Sequence, residues 1–91
     1  MSKIYYKKFE CVMKQSGNEY IIVPLTDNIA TMKAIYTTNE VGAFIWEQID
    51  GIKTTEQIAE KVQEEYEVHF DKALSDAEIF IQKMISLLTE K

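Results

Sequence analysis

The sequence predicts an α+β fold in which a three-stranded antiparallel sheet is followed by three helices. Three observations carry that prediction. Apolar and β-branched residues recur with a period of two through roughly the first third of the chain, and the period shifts to nearly four from Asn39 onward. Turn and cap residues stand at the seams between these segments. At 91 residues the chain has room for one domain and not two. The reading is therefore a single domain over residues 1–91 with its core over about 9–88.

The strands come first. Phe9 to Gln15 alternates weakly, with Phe9, Cys11 and Met13 on one parity and Glu10, Val12 and Lys14 on the other. Ser16-Gly17-Asn18 is a strong turn signal, and Glu19 to Leu25 carries Tyr20, Ile21, Ile22 and Val23, residues that suit a pleated surface. Together they predict a hairpin. Pro24 has no N–H for a ladder, so it marks a strand end, a bulge or an edge. After the turn Thr26-Asp27-Asn28, a third strand is predicted over Ala30 to Thr37, with Met32, Ala34 and Tyr36 on one face and Lys33 and Ile35 on the other. Sequential strands usually neighbour each other, so a meander is the simplest topology and the third strand lies at an edge.

The helices follow. Asn39 is a good N-cap, Glu40 suits the positive end of the helix dipole, and Val41, Phe44, Ile45 and Ile49 form an apolar stripe beside Trp46. Trp46 reads as core. Asp50-Gly51 ends this helix, with Gly51 supplying a left-handed C-terminal cap. Thr54 or Thr55 starts the second helix, since Thr54 and Gln57 have capping-box spacing. Ile58, Ala59, Val62 and Tyr66 point inward there. Val68-His69-Phe70 is read as a short extended link. The third helix begins between Asp71 and Ser75; both Asp71 and the box Ser75-Asp76-Ala77-Glu78 are competent caps. Its apolar positions form one stripe through Leu74, Ala77, Ile81, Met84 (or Ile85) and Leu88, and a second through Phe80, Met84 and Leu87. That face is broader than packing on one side of a small domain requires.

Composition narrows the function. The net charge is -5, from 15 acidic and 10 basic residues, and no arginine occurs. An acidic chain without basic clusters repels phosphate backbones and anionic membranes, and it lacks the usual bidentate reader of guanine. No apolar run approaches the roughly 18 residues of a membrane span, and Met1 to Lys8 has no apolar signal-peptide core. With a single cysteine, Cys11, no intrachain disulfide forms. These features predict a cytoplasmic protein with neither nucleic acid nor membrane as partner.

Catalytic and metal-binding patterns are missing. His69 has no cysteine near it in sequence and reads as a linker residue, and Cys11 reads as a half-buried inert thiol. There is no CxxC and no HExxH, and Gly17, Gly42 and Gly51 are isolated, so no metal site, cofactor or phosphate loop is expected. Glu56, Glu60, Glu64, Glu65 and Glu67 read as a solvated face. The expectation is a protein that is not an enzyme.

What remains is surface for protein. An exposed strand edge accepts an extended peptide through main-chain hydrogen bonds, and an adjoining apolar groove takes its alternate side chains. By pattern alone, the broad face of the last helix is explained as well by simple burial or by a dimer interface.

The run from Ala34 through Asn39, Ile45-Trp46 and Asp50-Gly51, continued by Thr54-Thr55-Glu56-Gln57-Ile58-Ala59, Glu64-Glu65-Tyr66 and the helix from Asp76 to Leu88, resembles the PqqD-like family. The resemblance covers about Tyr20 to Leu88. It implies a winged helix-turn-helix-like fold and a non-catalytic module that binds the leader segment of a ribosomally made precursor peptide. The leader adds as a strand beside the third strand, facing the third helix, and is presented to a maturation enzyme, often a radical-SAM enzyme. Carried onto this chain, the peptide-binding residues would be Met32, Lys33, Ala34, Ile35 and Tyr36 on the edge, and Phe80, Met84 and Leu87 on the groove wall. The sequence departs from the family's frequent Leu-Asn before the first helix, having Thr38-Asn39 instead. A DNA-binding winged helix and a structural or homodimeric subunit are the alternatives; the acidic second helix argues against the first.

Overall fold

A computed structural model describes residues 3–25 and 35–91 of the chain. Its strands are β1 (Tyr5–Lys7), β2 (Glu10–Ser16), β3 (Glu19–Leu25), β4 (Tyr36–Thr38) and β5 (Leu88–Glu90). Its helices are α1 (Glu40–Gln48), α2 (Thr55–Tyr66) and α3 (Phe70–Lys83), with a 3₁₀ turn at Ile85–Leu87.

The predicted sheet is present as an antiparallel meander in the order β2-β3-β4. Ser16 pairs with Glu19, which leaves Gly17-Asn18 as a two-residue hairpin loop. Gly17 has φ 61° while Asn18 has no positive φ, the arrangement of a type II′ turn with glycine at its first central position. Cys11 and Met13 are half-buried between exposed Glu10, Val12 and Lys14, so the weak alternation is real. Pro24 sits in β3 beyond Ile22, the last β3 residue paired with described β4. Of the third strand predicted over Ala30 to Thr37, Tyr36–Thr38 is extended and paired with β3, and Ala30 to Ala34 lie outside the described residues.

The helix caps follow the sequence closely. Asn39 Oδ1 accepts from the Gly42 N–H at 2.9 Å and opens α1. Thr54 accepts from the Gln57 N–H while the Gln57 side chain accepts from the Thr54 N–H, a complete capping box. Three expectations need correction. The C-cap of α1 is Ile49, in extended conformation; Gly51 is left-handed at φ 79°, but two residues later, where its N–H donates to Tyr5 O at 3.0 Å. The third helix starts at Phe70, before either predicted cap, with His69 at the cap position making no side-chain bond. Phe70 therefore belongs to α3 and not to the preceding link. Nor does that helix run on to Leu88. It ends at Lys83, and the chain folds back through the 3₁₀ turn into β5.

β5 pairs antiparallel with β1, a two-stranded sheet that local pattern did not reveal. Lys8 N donates to Leu87 O at 2.8 Å, and Lys91 N to Ile4 O at 2.7 Å. The core gathers Ile22, Ile45, Ile58, Val62, Ile81, Met84 and Leu87, all essentially fully buried, with Tyr5 and Leu88 also buried. It thus reaches beyond the 9–88 span read from the sequence. Trp46 is 4% exposed, as expected of a core residue, and meets Phe80 edge-to-face at a centroid distance of 6.4 Å. Lys7 lies over the Trp46 ring at 4.7 Å, and burial pulls its pKa below the ordinary lysine value. Phe44 and Tyr66 join α1 to α2 edge-to-face at 5.6 Å; burial, then the Glu40 carboxylate, pushes the Tyr66 phenol up to about 12.

Candidate functional site

β4 is the outer strand of its sheet, and among the described residues no other strand pairs with its far side. It runs straight into α1, whose first turn is fixed by Asn39. Beside this junction lies a cleft of about 320 Å³ between β4, the start of α1 and one face of α3. Thr38, Asn39, Val41, Gly42 and Ile45 form one wall, and Lys72, Asp76, Ile79, Phe80 and Lys83 form the other.

The α3 wall has helical spacing, since residues three and four apart share a face. It combines two apolar side chains with three charged ones. Lys72 donates to both oxygens of Asp76 at 3.2 and 3.1 Å, so these two charges offset each other. The Lys83 ammonium reaches across the cleft and donates to the Thr37 carbonyl on β4. Nearby, the Tyr36 hydroxyl and Ser86 Oγ are hydrogen-bonded at 2.6 Å, tying the strand to the turn after α3. Gly42 lets α1 approach closely, because a Cβ there would lie 3.1 Å from Phe80 Cδ1 and collide with the Thr38 side chain.

The structure brings together part of the residue set expected from the sequence. Tyr36 lies in β4, half-buried, and Ile35 precedes it, 63% exposed. Phe80 lines the cleft while closing the core behind it. Met84 and Leu87 are fully buried, because α3 has ended before them and the turn carries both into the core. Met32, Lys33 and Ala34 lie outside the described residues. Sequence reasoning missed Ile79, which is 66% exposed on the cleft rim, and the charged pair and lysine beside it. A search for apolar stripes passes over a face that is half polar. The signal available was the i, i+4, i+7, i+11 spacing of Lys72, Asp76, Ile79 and Lys83.

A three-stranded antiparallel sheet ending in β4, three helices behind it and a cleft between β4 and the last helix define a winged-helix-like α+β domain. The chain belongs to the PqqD family, whose profile, Coenzyme PQQ synthesis protein D (PqqD), matches residues 19–87, more than half of its length. Among solved structures, TbiB1 in complex with the TbiA(beta) leader peptide is similar over 91% of this chain and 93% of that one, with a TM-score of 0.67 and 20% identity. At that identity the likeness establishes the fold. No curated protein matches the sequence.

Proposed function

We propose that this protein is a non-catalytic peptide-binding module. It captures the leader segment of a ribosomally made precursor peptide by strand addition to β4 and presents it to a modifying enzyme, a radical-SAM enzyme being the candidate. The observation that carries this reading is the juxtaposition of a cleft with a strand edge that no other strand pairs among the described residues. Main-chain groups on the edge supply affinity, and the apolar wall at Ile79 and Phe80 takes alternate side chains. Family membership and the leader peptide bound to TbiB1 support it. In the cell, with the cytoplasm as the compartment its composition suggests, such a module acts by raising the local concentration of substrate at its enzyme. Among the described residues no helix is long and apolar enough to cross a membrane. The duplex-DNA reading gains nothing, since α2 exposes Glu60, Glu64 and Glu65 where phosphates would approach.

The test is an NMR titration with synthetic leader peptides from reading frames adjacent to the gene. Amide shifts are expected to concentrate at Ile35–Thr38 and at Ile79–Phe80. Shifts confined to α2 would reject the cleft. The expected binding-wall residues Met84 and Leu87 are buried and would report only indirectly, whereas Met32, Lys33 and Ala34, which lie outside the described residues, are proposed to respond directly. Homodimerisation through the same edge is the competing use of this surface. Sedimentation of the free protein as a single 10.6 kDa species would set that aside.

A further inference from the structure

We infer that Lys83 selects for a carboxylate at one register position of the bound peptide, an inference that rests on the proposed peptide-binding role of the cleft. The Thr37 carbonyl, on the outermost strand of the sheet, accepts from the Lys83 ammonium, so the cation occupies an acceptor that an added strand would claim with its own N–H. Strand addition displaces it. The four-carbon stem is anchored at the end of α3, so the displaced ammonium remains within reach of the cleft rim that Lys83 shares with Ile79 and Phe80.

Among the described residues the cleft offers that charge no replacement carboxylate. Asp76, the carboxylate on the same wall, is already engaged by Lys72, and among the described residues the ion pairs of the protein involve Lys3, Lys53 and Lys72 but not Lys83. Lys83 is exposed in the free protein, so the displaced ammonium is hydrated until the peptide covers it in part; a carboxylate from the incoming chain then restores the charge-assisted hydrogen bond that strand addition removed. Because side chains of an extended strand alternate between faces, only one parity of the peptide faces α3, and only one residue of that parity comes level with Lys83. Specificity therefore takes the form of Asp or Glu at a fixed spacing from the apolar anchors that fill the cleft. The molecule as a whole is acidic, with a net charge of -5, so this single cation discriminates locally; acidic peptides are not attracted in general.

Selection of a random twelve-residue peptide library on the full chain tests this, with binding at the cleft confirmed by amide shifts at Thr37 and Phe80. The wild-type protein is expected to enrich Asp or Glu at one position. K83E is expected to enrich Lys at that position, and K83M to lose the preference while keeping the apolar anchors. Circular dichroism checks the fold of both variants. Independently of any variant, replacing the selected Glu by Gln in one peptide is expected to weaken binding to the wild-type protein by about tenfold or more. Cleft-binding peptides with no acidic position, or with a Glu-to-Gln change that leaves affinity unaltered, would overturn the role of Lys83 and leave peptide binding intact. Failure to recover any cleft-binding peptide would overturn the proposed function and the role of Lys83 together.

Discussion

Gly42 stands inside α1, where glycine is ordinarily a liability of about 1 kcal/mol relative to alanine. In this helix the comparison reverses. A methyl group at this position would collide with the Thr38 side chain and come within 3.1 Å of Phe80 Cδ1. Thr38 is β-branched and held at the end of β4, and Phe80 is packed against Trp46, so neither yields cheaply. Gly42→Ala is expected to lower stability by about 1–3 kcal/mol, the usual penalty for overpacking. Urea denaturation checks this; a midpoint equal to or above that of the wild type would show that the junction repacks freely. Other single residues were transparent in the sequence. Asn39 and Thr54 cap because short polar side chains before an apolar period have one local task. Met84 and Leu87 were not transparent. An apolar residue on a helical pattern has the same signature whether it lines a groove or closes a core, and only the position of the helix end decides between them.

The turn between α1 and α2 shows how an element boundary is secured without a helix-capping glycine. Asp50 accepts from the Ile52 and Lys53 N–H groups, each at 2.9 Å, and from Lys53 Nζ at 2.8 Å. The Lys53 hydrogen bonds, from side chain and then backbone, hold its carboxyl well below the usual carboxylate range. The consequence for stability has a definite sign. On acidification the unfolded chain takes up a proton at Asp50 near the reference value of about 3.9, while the folded chain resists until lower pH. Between those values the unfolded state binds more protons, so stability falls as pH falls. Well above about pH 4 the contribution is fully present. Asp50→Asn is expected to be less stable than the wild type at neutral pH, with the difference shrinking as pH drops below about 4. Urea midpoints of both proteins across that range measure it; a constant difference would mean that the charge on Asp50 is unimportant. Helix boundaries were the weakest part of the sequence reading where packing sets them, unlike the local hydrogen bonds by which Asp50 closes its turn. Asp71 and Ser75 are competent caps, yet α3 begins at Phe70 because that aromatic packs against the core and draws the helix start ahead of both. Tertiary contact overrode local capping.

At the scale of the whole molecule, the β2-β3-β4 sheet and its three helices were legible because each is announced by contacts close in sequence. The β1–β5 sheet was not, since it joins the two ends of the chain and its partners share no local signal. β1 is nevertheless held from several sides. Tyr5–Lys7 pairs with Leu88–Glu90, Tyr5 O accepts from Gly51 N at 3.0 Å, and Lys3 O accepts from Thr55 N at 2.9 Å. Tyr5 itself is 5% exposed within the core. The family match, over residues 19–87, leaves this strand outside, and so does the core boundary read from the sequence. The structure makes the opposite prediction. Removing residues 1–8 is expected to cost about 3 kcal/mol or more, the scale of deleting a buried aromatic from a core. A domain of this size has a margin of only about 5–15 kcal/mol, so the shortened chain should unfold at distinctly lower urea concentration. Tyr5→Ala in the full chain should reproduce most of that loss, because the side chain carries the burial while the strand hydrogen bonds exchange with water at little net gain. If the shortened protein and the point variant both unfold where the wild type does, the terminal strand pair is an ornament on a self-sufficient core. If only the shortened protein is destabilised, the backbone ladder outweighs the ring, and burial of Tyr5 is the lesser of the two contributions.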